Sequence, residues 1–209
     1  MSPRPRATSD EDLLAATHRV VSRLGPNLTL ADVAKEAGVS PATLMQRFGS
    51  KRGLLLAFAA SGSGDMSEEF KAIRAQHPSP LAAVYELARC MAAMADTPET
   101  LANSLAFLQM DLVDPEFHQH ALGHSRSMQA AIKTLLDEAV TNGELARTDT
   151  TRLSRAVQAM IGGSLLQWAI DRDGKVADRL TEDLDALLNS RKSASRARRH
   201  APRRKLRRA

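Results

Sequence analysis

Side chains suited to binding a nucleic-acid backbone are concentrated between residues 29 and 51. Thr29, Ser40 and Thr43 carry hydroxyl groups, and Lys51 stands at the expected start of a helix. Hydroxyl groups and a lysine at a helix start are well suited to phosphate oxygens. The chemistry indicated by this stretch is therefore non-covalent binding of a polyanion.

Two longer polar side chains in the same stretch could reach the edges of bases. Gln46 can pair with adenine, and Arg47 can pair with guanine. Pro41, Ala42 and Met45 are expected on the same outward surface. Together these five residues form the predicted base-facing side of one short helix.

Two short helices separated by a glycine turn are predicted to position these residues. Gly38 suits the residue of positive φ that ends a helix, Ser40 can cap the next helix, and Pro41 fits its first position. This is the pattern of a helix-turn-helix, whose second helix can enter a DNA major groove. Apolar residues at helical spacing give the two helices their buried faces: Leu30, Val33, Ala34 and Ala37, then Leu44 and Phe48.

The stretch resembles the N-terminal domain of the TetR family of transcriptional regulators. The resemblance implies that Thr29, Ser40, Thr43 and Lys51 contact phosphates or bases. Met45 departs from the family, which usually has a tyrosine there. The residues that carry the resemblance are Thr29, Asp32, Val33, Ala34, Ala37, Gly38, Val39, Ser40, Thr43, Leu44, Phe48, Ser50, Lys51, Leu54 and Leu55.

Composition excludes several classes of protein. The 209 residues include abundant Ala and Leu without β-rich stretches, which favours an all-α fold. No run of about 18 apolar residues occurs, and the N-terminus lacks a signal-peptide core, so we expect no membrane span. A single cysteine fits a cytoplasmic location. No nucleophile–base pair, phosphate loop or paired carboxylates can be made out, so neither an enzyme nor a cofactor is predicted.

The net charge of +5 is distributed unevenly along the chain. Residues 191–209 contain ten Lys or Arg and no acid, and residues 1–60 contain eight basic and five acidic side chains. Residues 61–190 contain eleven basic and nineteen acidic side chains. Basic ends around an acidic middle suggest that both ends meet a polyanion. For the tail, the alternatives to DNA are an anionic membrane surface or a role in solubility alone. DNA is favoured because the tail has no apolar face or aromatic residue.

Four segments are predicted along the chain. Residues 1–8 form a disordered arm, 9–60 the helix-turn-helix domain, 61–189 a helical ligand-binding and dimerisation domain, and 190–209 a disordered basic tail. The family resemblance implies one continuous helix joining the two domains. Ser61–Gly64 interrupts it with two glycines, as either a plain loop or a functional hinge.

About nine helices are expected in all. A capping residue followed by proline begins several of them, as at Ser79–Pro80, Thr97–Pro98 and Asp114–Pro115. Beyond residue 79, the helices are predicted near residues 80–95, 98–112, 115–141, 149–172 and 176–189.

A small-molecule cavity within the second domain is implied by the resemblance. Apolar residues at helical spacing belong to a core more often than to a pocket, although methionine-rich walls adapt to varied ligands. We expect a mainly apolar ligand, with polar anchors among Asn103, Gln109 and Gln167. The remaining candidates for the lining are Met91, Met94, Phe107, Met110, Met128 and Trp168.

Small residues on the penultimate helix would allow a second helix to approach closely. The alternative is ordinary packing within the chain. The resemblance implies a homodimer built from the last two helices, and a two-fold protein reads a palindrome with half-sites about 34 Å apart. The candidate interface residues are Ala156, Ala159, Gly162, Gly163, Leu184 and Leu187.

Three histidines lie close together at a spacing that metal ligands can have. His120 and His124 are four residues apart on one predicted helix, and His118 lies beside them. No cysteine and no Glu-x-x-His pair reinforces that spacing, so a polar helix face is favoured and no metal site is predicted.

The sequence therefore predicts a DNA-binding transcriptional regulator. We expect a repressor that binds a palindromic operator in double-stranded DNA and is released by a small, mainly apolar effector. The alternative is a nucleoid-type protein that binds DNA with little sequence preference through the same module and tail.

Overall fold

The computed structural model describes residues 8–62 and 67–192, and within these ranges it contains ten α-helices and no strand. The predicted all-α fold is confirmed. The helices are α1 (Asp10–Leu24), α2 (Leu30–Ala37), α3 (Pro41–Phe48), α4 (Lys51–Gly62), α5 (Ser67–Gln76), α6 (Pro80–Met94), α7 (Pro98–Val113), α8 (Pro115–Thr141), α9 (Thr150–Asp171) and α10 (Val176–Leu188). None of them is long and apolar enough to span a membrane.

The helix starts follow the capping signals in the sequence. Ser79, Thr97 and Asp114 each accept a hydrogen bond from the first turn of the following helix, and each precedes a proline. Ser9 and Asp12 form a capping box at α1. The side-chain and backbone hydrogen bonds from Ser9 lower the pKa of Asp12. Local sequence thus determines where these helices begin.

The predicted interruption at Ser61–Gly64 falls partly outside the described residues. α4 is described up to Gly62 and α5 from Ser67. Residues 63–66 lie outside the described part of the chain. The N-terminal arm, except Thr8, also lies outside it, as do residues 193–209 of the basic tail.

The first three residues of the predicted tail pack on the helical domain. Residues Asn189–Arg191 form a short 3₁₀-helix after α10, and Lys192 pairs with Leu145 in an isolated antiparallel bridge. The Ala146 N–H donates to the Arg191 carbonyl over 2.7 Å. The chain is therefore anchored through Lys192, beside the loop that follows α8.

The described residues form two hydrophobic cores. The first, called here the DNA-binding core, contains buried residues from α1 to α4 together with Leu28 and Phe117. The second, called here the regulatory core, is built from α5 to α10, from Phe70 to Leu188, and includes Leu145 from the loop after α8. α8 contributes to both cores, because Phe117 near its N-terminus belongs to the first and Ile132 and Leu136 belong to the second.

Candidate functional site

A capping box fixes the start of the helix-turn-helix at Thr29. The Thr29 hydroxyl accepts a hydrogen bond from the Asp32 N–H over 3.2 Å, and the Thr29 N–H donates to the Asp32 carboxylate over 2.7 Å. The hydrogen bond from the Thr29 side chain is the main cause that lowers the pKa of Asp32, and the hydrogen bond from the Thr29 backbone lowers it further. Thr29 itself remains exposed at the N-terminus of α2.

The turn and the second helix have the predicted geometry. Gly38 has φ 67° and ψ 29°, the left-handed conformation that ends α2. Ser40 accepts a hydrogen bond from the Thr43 N–H, and the Ser40 and Thr43 hydroxyl oxygens lie 3.0 Å apart. The N-terminus of α3 therefore presents two adjacent hydroxyl groups, an arrangement suited to a phosphate.

The outward face of α3 contains the residues that the sequence assigned to it. Leu44 is fully buried. The exposed residues are Pro41, Ala42, Met45, Gln46 and Arg47. This face, α3 with Thr29, is the candidate DNA-binding face.

Lys51 is tied to the chain in a way that its sequence position did not reveal. Its ammonium nitrogen donates to the Pro26 carbonyl over 2.6 Å, and the side chain is partly buried. The bond joins the start of α4 to the loop before α2. An ammonium group has three N–H donors, so this bond leaves donors for a phosphate.

Arg47 has a partner that the sequence analysis missed. Its Nη1 lies 2.6 Å from Oδ1 of Asp10, the first residue of α1. The two residues are 37 positions apart, so no local spacing indicates the pair.

Arg52 connects the DNA-binding core to the start of α8. Its guanidinium pairs with Asp114 over 2.8 Å and with Glu116 over 2.5 Å, and it lies 5.7 Å from the centre of the Phe117 ring. Hydrogen bonds from Arg52 lower the pKa of Asp114. Because Arg52 lies on α4 and its partners lie at the start of α8, Arg52 holds α4 against the N-terminus of α8.

Further contacts join the DNA-binding half of the chain to α7 and α8. Phe117 is 1% exposed and packs within the DNA-binding core. Asn103 of α7 donates from its side chain to the Ser22 carbonyl of α1 over 3.0 Å. Gly25 has φ 57°, and a Cβ there would meet the Asn103 Oδ1 at 3.0 Å, so the backbone approaches closely at this point. We call this set of contacts the α8 junction.

A partly open cavity of about 460 Å³ lies between α5 and α8, and we call it the α5–α8 groove. Half of the lining residues are apolar, namely three alanines with Phe70 and Leu135. Among the polar ones, Arg74 and Glu138 form an ion pair over 2.7 Å. The groove is lined by Phe70, Lys71, Arg74, Ala75, Ser127, Ala130, Ala131, Thr134, Leu135 and Glu138.

None of the nine predicted pocket residues lines the α5–α8 groove. Met128 and Trp168 are buried in the regulatory core, with Met91 packed against it. Phe107 and Met110 pack against the DNA-binding core, and Asn103 belongs to the α8 junction. Two more are exposed, Met94 and Gln109. Helical spacing marks a buried face but does not indicate which cavity, if any, that face borders.

Gln167 borders a second and more open hollow on α9 and α10. Its side-chain amide donates to Asp171 over 2.8 Å. The hollow measures about 510 Å³ and also includes Gly163 and Leu187. It lies on the surface that was predicted to form the dimer.

Five of the six candidate interface residues are at least partly exposed, and Leu184 is the buried one. Leu184 is 0% exposed and lies inside the regulatory core, so it cannot meet another chain. Ala156 and Leu187 are half-buried, whereas Ala159, Gly162 and Gly163 are exposed. Leu166 and Ile170, which the sequence analysis missed, are 45% and 67% exposed on the same helix. They continue a stripe at helical spacing from Ala159 and Gly162.

His118 and His124 of α8 each contact a backbone carbonyl of another helix. His118 Nδ1 lies 3.2 Å from the Asp111 carbonyl oxygen, and His124 Nδ1 lies 2.9 Å from that of Gly62. Burial raises the pKa of Asp111, while the charges of His124 and His118 oppose that shift. Within residues 8–62 and 67–192, no group of three or more His, Cys, Asp or Glu could hold a metal ion. His124 thus connects α8 to the end of α4.

Both halves of the chain match known protein families. Residues 13–58 match the family described as bacterial regulatory proteins, tetR family. Residues 86–191 match the family described as BetI-type transcriptional repressor, C-terminal. The chain is 31% identical over 179 residues to the HTH-type transcriptional regulator BetI of Rhizobium meliloti, covering 82% of this chain and 84% of that protein.

Solved structures of low sequence identity share the fold. A TetR transcription regulator from Haloarcula marismortui superposes with a TM-score of 0.73 at 16% identity, covering 88% of this chain and 98% of that one. FadR from Bacillus subtilis, solved in complex with stearoyl-CoA, superposes with a TM-score of 0.65 at 16% identity. That match covers 86% of this chain and 98% of FadR.

Proposed function

Since the chain belongs to the TetR family of bacterial transcriptional regulators, we propose that it is a repressor released from a palindromic operator by a mainly apolar effector. DNA-binding transcription regulation follows from the family. Repression, the effector and the symmetry of the operator are the proposed parts. The single observation that carries the effector mechanism is that α8 forms one wall of the α5–α8 groove and also enters the DNA-binding core.

On DNA, α3 enters the major groove and its N-terminus meets the backbone. The adjacent hydroxyls of Ser40 and Thr43 bind a phosphate, together with Thr29 and Lys51. Gln46 and Arg47 face the edges of the bases. Met45 provides no hydroxyl, so it contacts DNA through apolar atoms alone.

The effector occupies the α5–α8 groove. The apolar wall from Phe70 to Leu135 favours an apolar body, while the hydroxyls of Ser127 and Thr134 offer hydrogen bonds to a polar end. FadR, a protein of the same fold, has been solved with stearoyl-CoA, which contains a long apolar chain. That complex supports an apolar effector class.

Effector binding reaches α3 through α8. The helix has 27 residues and is about 40 Å long, and the groove residues lie ten to twenty-one positions beyond Phe117. A ligand that separates α5 from α8 therefore shifts a helix whose N-terminus is fixed to α4 by Arg52. The orientation of α3 changes with it. Coupling between sites of this kind is typically about five- to 150-fold in affinity.

The dimer forms through α9 and α10. Ala159, Gly162, Leu166 and Ile170 make an exposed stripe of small and apolar side chains on α9. Small residues allow close helix packing, and exposed apolar patches mark interaction surfaces. Two-fold symmetry then places two copies of α3 about 34 Å apart, which matches a palindrome.

The proposal is tested by selecting bound sequences from a random DNA pool. A palindromic sequence bound at least about 10³-fold more tightly than random DNA supports an operator-specific regulator. Recovery of no preferred sequence would instead identify a sequence-tolerant DNA-binding protein. Anilinonaphthalene sulfonate, an apolar fluorescent anion, then serves as a probe of the α5–α8 groove.

A variant that fills the groove separates effector binding from DNA binding. Ala130→Trp should abolish probe binding in the groove and leave operator affinity unchanged, because Ala130 is an exposed lining residue distant from α3. Gln119→Trp, exposed on the same helix outside the groove, is the matched control. If Ala130→Trp and Gln119→Trp bound the probe equally, the effector site would have to lie outside the α5–α8 groove.

A further inference from the structure

The ion pair between Asp10 and Arg47 places a carboxylate beside the candidate DNA-binding face. Oδ1 of Asp10 lies 2.6 Å from Nη1 of Arg47, and the side chains are 65% and 33% exposed. Arg47 occupies the last turn of α3, and Asp10 is the first residue of α1. An exposed carboxylate at this place weakens attraction to DNA, because the nucleic-acid backbone is a polyanion.

The fold does not need the pair in order to hold its two helices. Ser9 and Asp12 already cap α1, with the Ser9 N–H donating to the Asp12 carboxylate over 3.0 Å. The fully buried Leu13 and Leu44 fix α1 and α3 within the DNA-binding core. Exposed ion pairs contribute little to stability. The pair is therefore better explained by its effect on the Arg47 side chain than by an effect on folding.

Asp10 limits the orientations of a long side chain. A guanidinium group presents five N–H donors in a planar fork, and a carboxylate bound at one nitrogen leaves the other edges available. Guanine is recognised when two of these donors meet its O6 and N7 together. Holding the fork in one orientation before DNA binds lowers the entropy lost on binding.

We propose that Asp10 is a positioning residue that orients Arg47 to read guanine in the operator. This inference rests on the DNA-binding function proposed above. Asp10 reduces attraction to DNA of every sequence through its charge, and it increases discrimination at the base pair read by Arg47. Specificity at that position thus depends on a residue of α1 as well as on α3.

The test compares Asp10→Ala with Glu11→Gln in the full chain. Glu11 is exposed in the same first turn of α1, so both changes remove one negative charge from the same region. Affinity for random duplex DNA is measured at several salt concentrations, and base preference at each operator position is measured by selection from a randomised pool. Arg47→Ala identifies the position that Arg47 reads.

Both charge-removing variants should bind random DNA a few-fold more tightly than the original chain. Only Asp10→Ala should lower the preference for guanine at the Arg47 position, by about five-fold or more, since a bidentate pair discriminates by roughly 1–3 kcal/mol. Asp10→Asn, which keeps an acceptor oxygen, should lie between the two. Thermal unfolding of each variant establishes that the domain remains folded.

Three results would overturn the inference. Base preferences of Asp10→Ala that equal those of Glu11→Gln would show that Asp10 acts through charge alone. A gain in guanine preference in Asp10→Ala would show that Asp10 withholds Arg47 from DNA. An Arg47→Ala variant with unchanged preferences would show that Arg47 reads no base. Failure of the original chain to select any sequence would instead refute the operator-specific function, and the inference with it.

Discussion

The two hydrophobic cores of the chain are completed in different ways. The regulatory core is built from α5 to α10 and the loop after α8, all of them C-terminal to the α4–α5 boundary. The DNA-binding core takes in Phe117 from α8, beyond the fifty or so residues of its own helices. A domain of that size buries a smaller share of its surface than a larger one and is correspondingly marginal. The DNA-binding core is therefore the dependent one, and α8 completes it together with Phe107 and Met110 of α7, which pack against it.

This asymmetry is the basis of the regulatory role proposed for α8. Its N-terminal turn is held by Arg52 and the DNA-binding core, while its middle borders the α5–α8 groove. A ligand bound in the α5–α8 groove can therefore act on the DNA-binding core without contacting it. We expect substitutions at the α8 junction to affect both domains, and those elsewhere to affect one.

The largest effect is expected from Phe117→Ala. Removing a buried phenyl ring costs about 3–5 kcal/mol of unfolding free energy. The loss should appear as faster hydrogen exchange in α1 and α3, although the change is made in α8. Chemical denaturation and exchange mass spectrometry provide the two measurements.

The matched change is Phe70→Ala, at a buried phenylalanine of the regulatory core. It should lower overall stability by a similar amount and leave exchange in α1 and α3 close to that of the original chain. If both variants changed exchange in α1 and α3 equally, the two cores would form one cooperative unit and the comparison would fail.

The next effect is expected from Arg52→Ala, which breaks the ion pairs with Asp114 and Glu116 across the boundary. Release of operator DNA by an effector should fall towards no response, while operator affinity without effector changes little. Arg19→Ala removes an ion pair with Glu36 inside the DNA-binding half and is the control. Operator release is measured by titrating both variants with the effector. Full release from Arg52→Ala would show that coupling between the domains does not pass through Arg52.

A smaller effect is expected from removing matched helix caps. Thr29→Ala and Thr97→Ala each delete a threonine hydroxyl that caps a helix, at α2 and α7 respectively, and each should cost about 1 kcal/mol of unfolding free energy. Only Thr29→Ala should also weaken DNA binding, because Thr29 lies on the candidate DNA-binding face. Equal DNA affinities for the two variants would remove Thr29 from the contact surface.

The smallest effect is a pH dependence in the regulatory half. Hydrogen bonds from Tyr85, over 2.6 Å, and from Lys192 hold the pKa of Asp185 below its ordinary value of 3.8. The stability that Asp185 contributes is therefore present above pH 3.8 and is lost as the pH falls through the lowered pKa. Asp185→Asn should be less stable than the original chain at pH 7, and the difference should shrink in acid.

Asp178→Asn on the same helix is the control for that measurement. Unfolding by denaturant between about pH 2 and pH 7 gives the two curves. If the difference in unfolding free energy between Asp185→Asn and the original chain were constant over that pH range, the lowered pKa of Asp185 would be contradicted.

Local signals explain how much of this molecule could be predicted from its sequence. Caps at Ser40, Ser79 and Thr97, and the glycine at Gly38, depend on neighbours within a few residues, and the helix boundaries followed from them. The outward face of α3 followed from helical spacing for the same reason.

Features that depend on tertiary packing were not predictable in this way. Arg52 and Asp114 are 62 positions apart, and no periodicity connects them. The α5–α8 groove escaped prediction because its wall consists largely of alanines and polar residues rather than large apolar ones. Leu184 and Ile170 both lie on the last two helices, yet one is buried and the other is exposed, and only packing distinguishes them.

The anchoring of Lys192 beside Leu145 has a practical consequence for attaching probes. Leu145 folds back on Ala139, which lies 22 residues beyond Phe117 on α8, or about 33 Å along the helix. A fluorophore attached near Lys192 would start near the C-terminal end of α8, whereas one attached near Asp10 would start beside Arg47. A dye pair at these two sites would therefore report movement between the two domains.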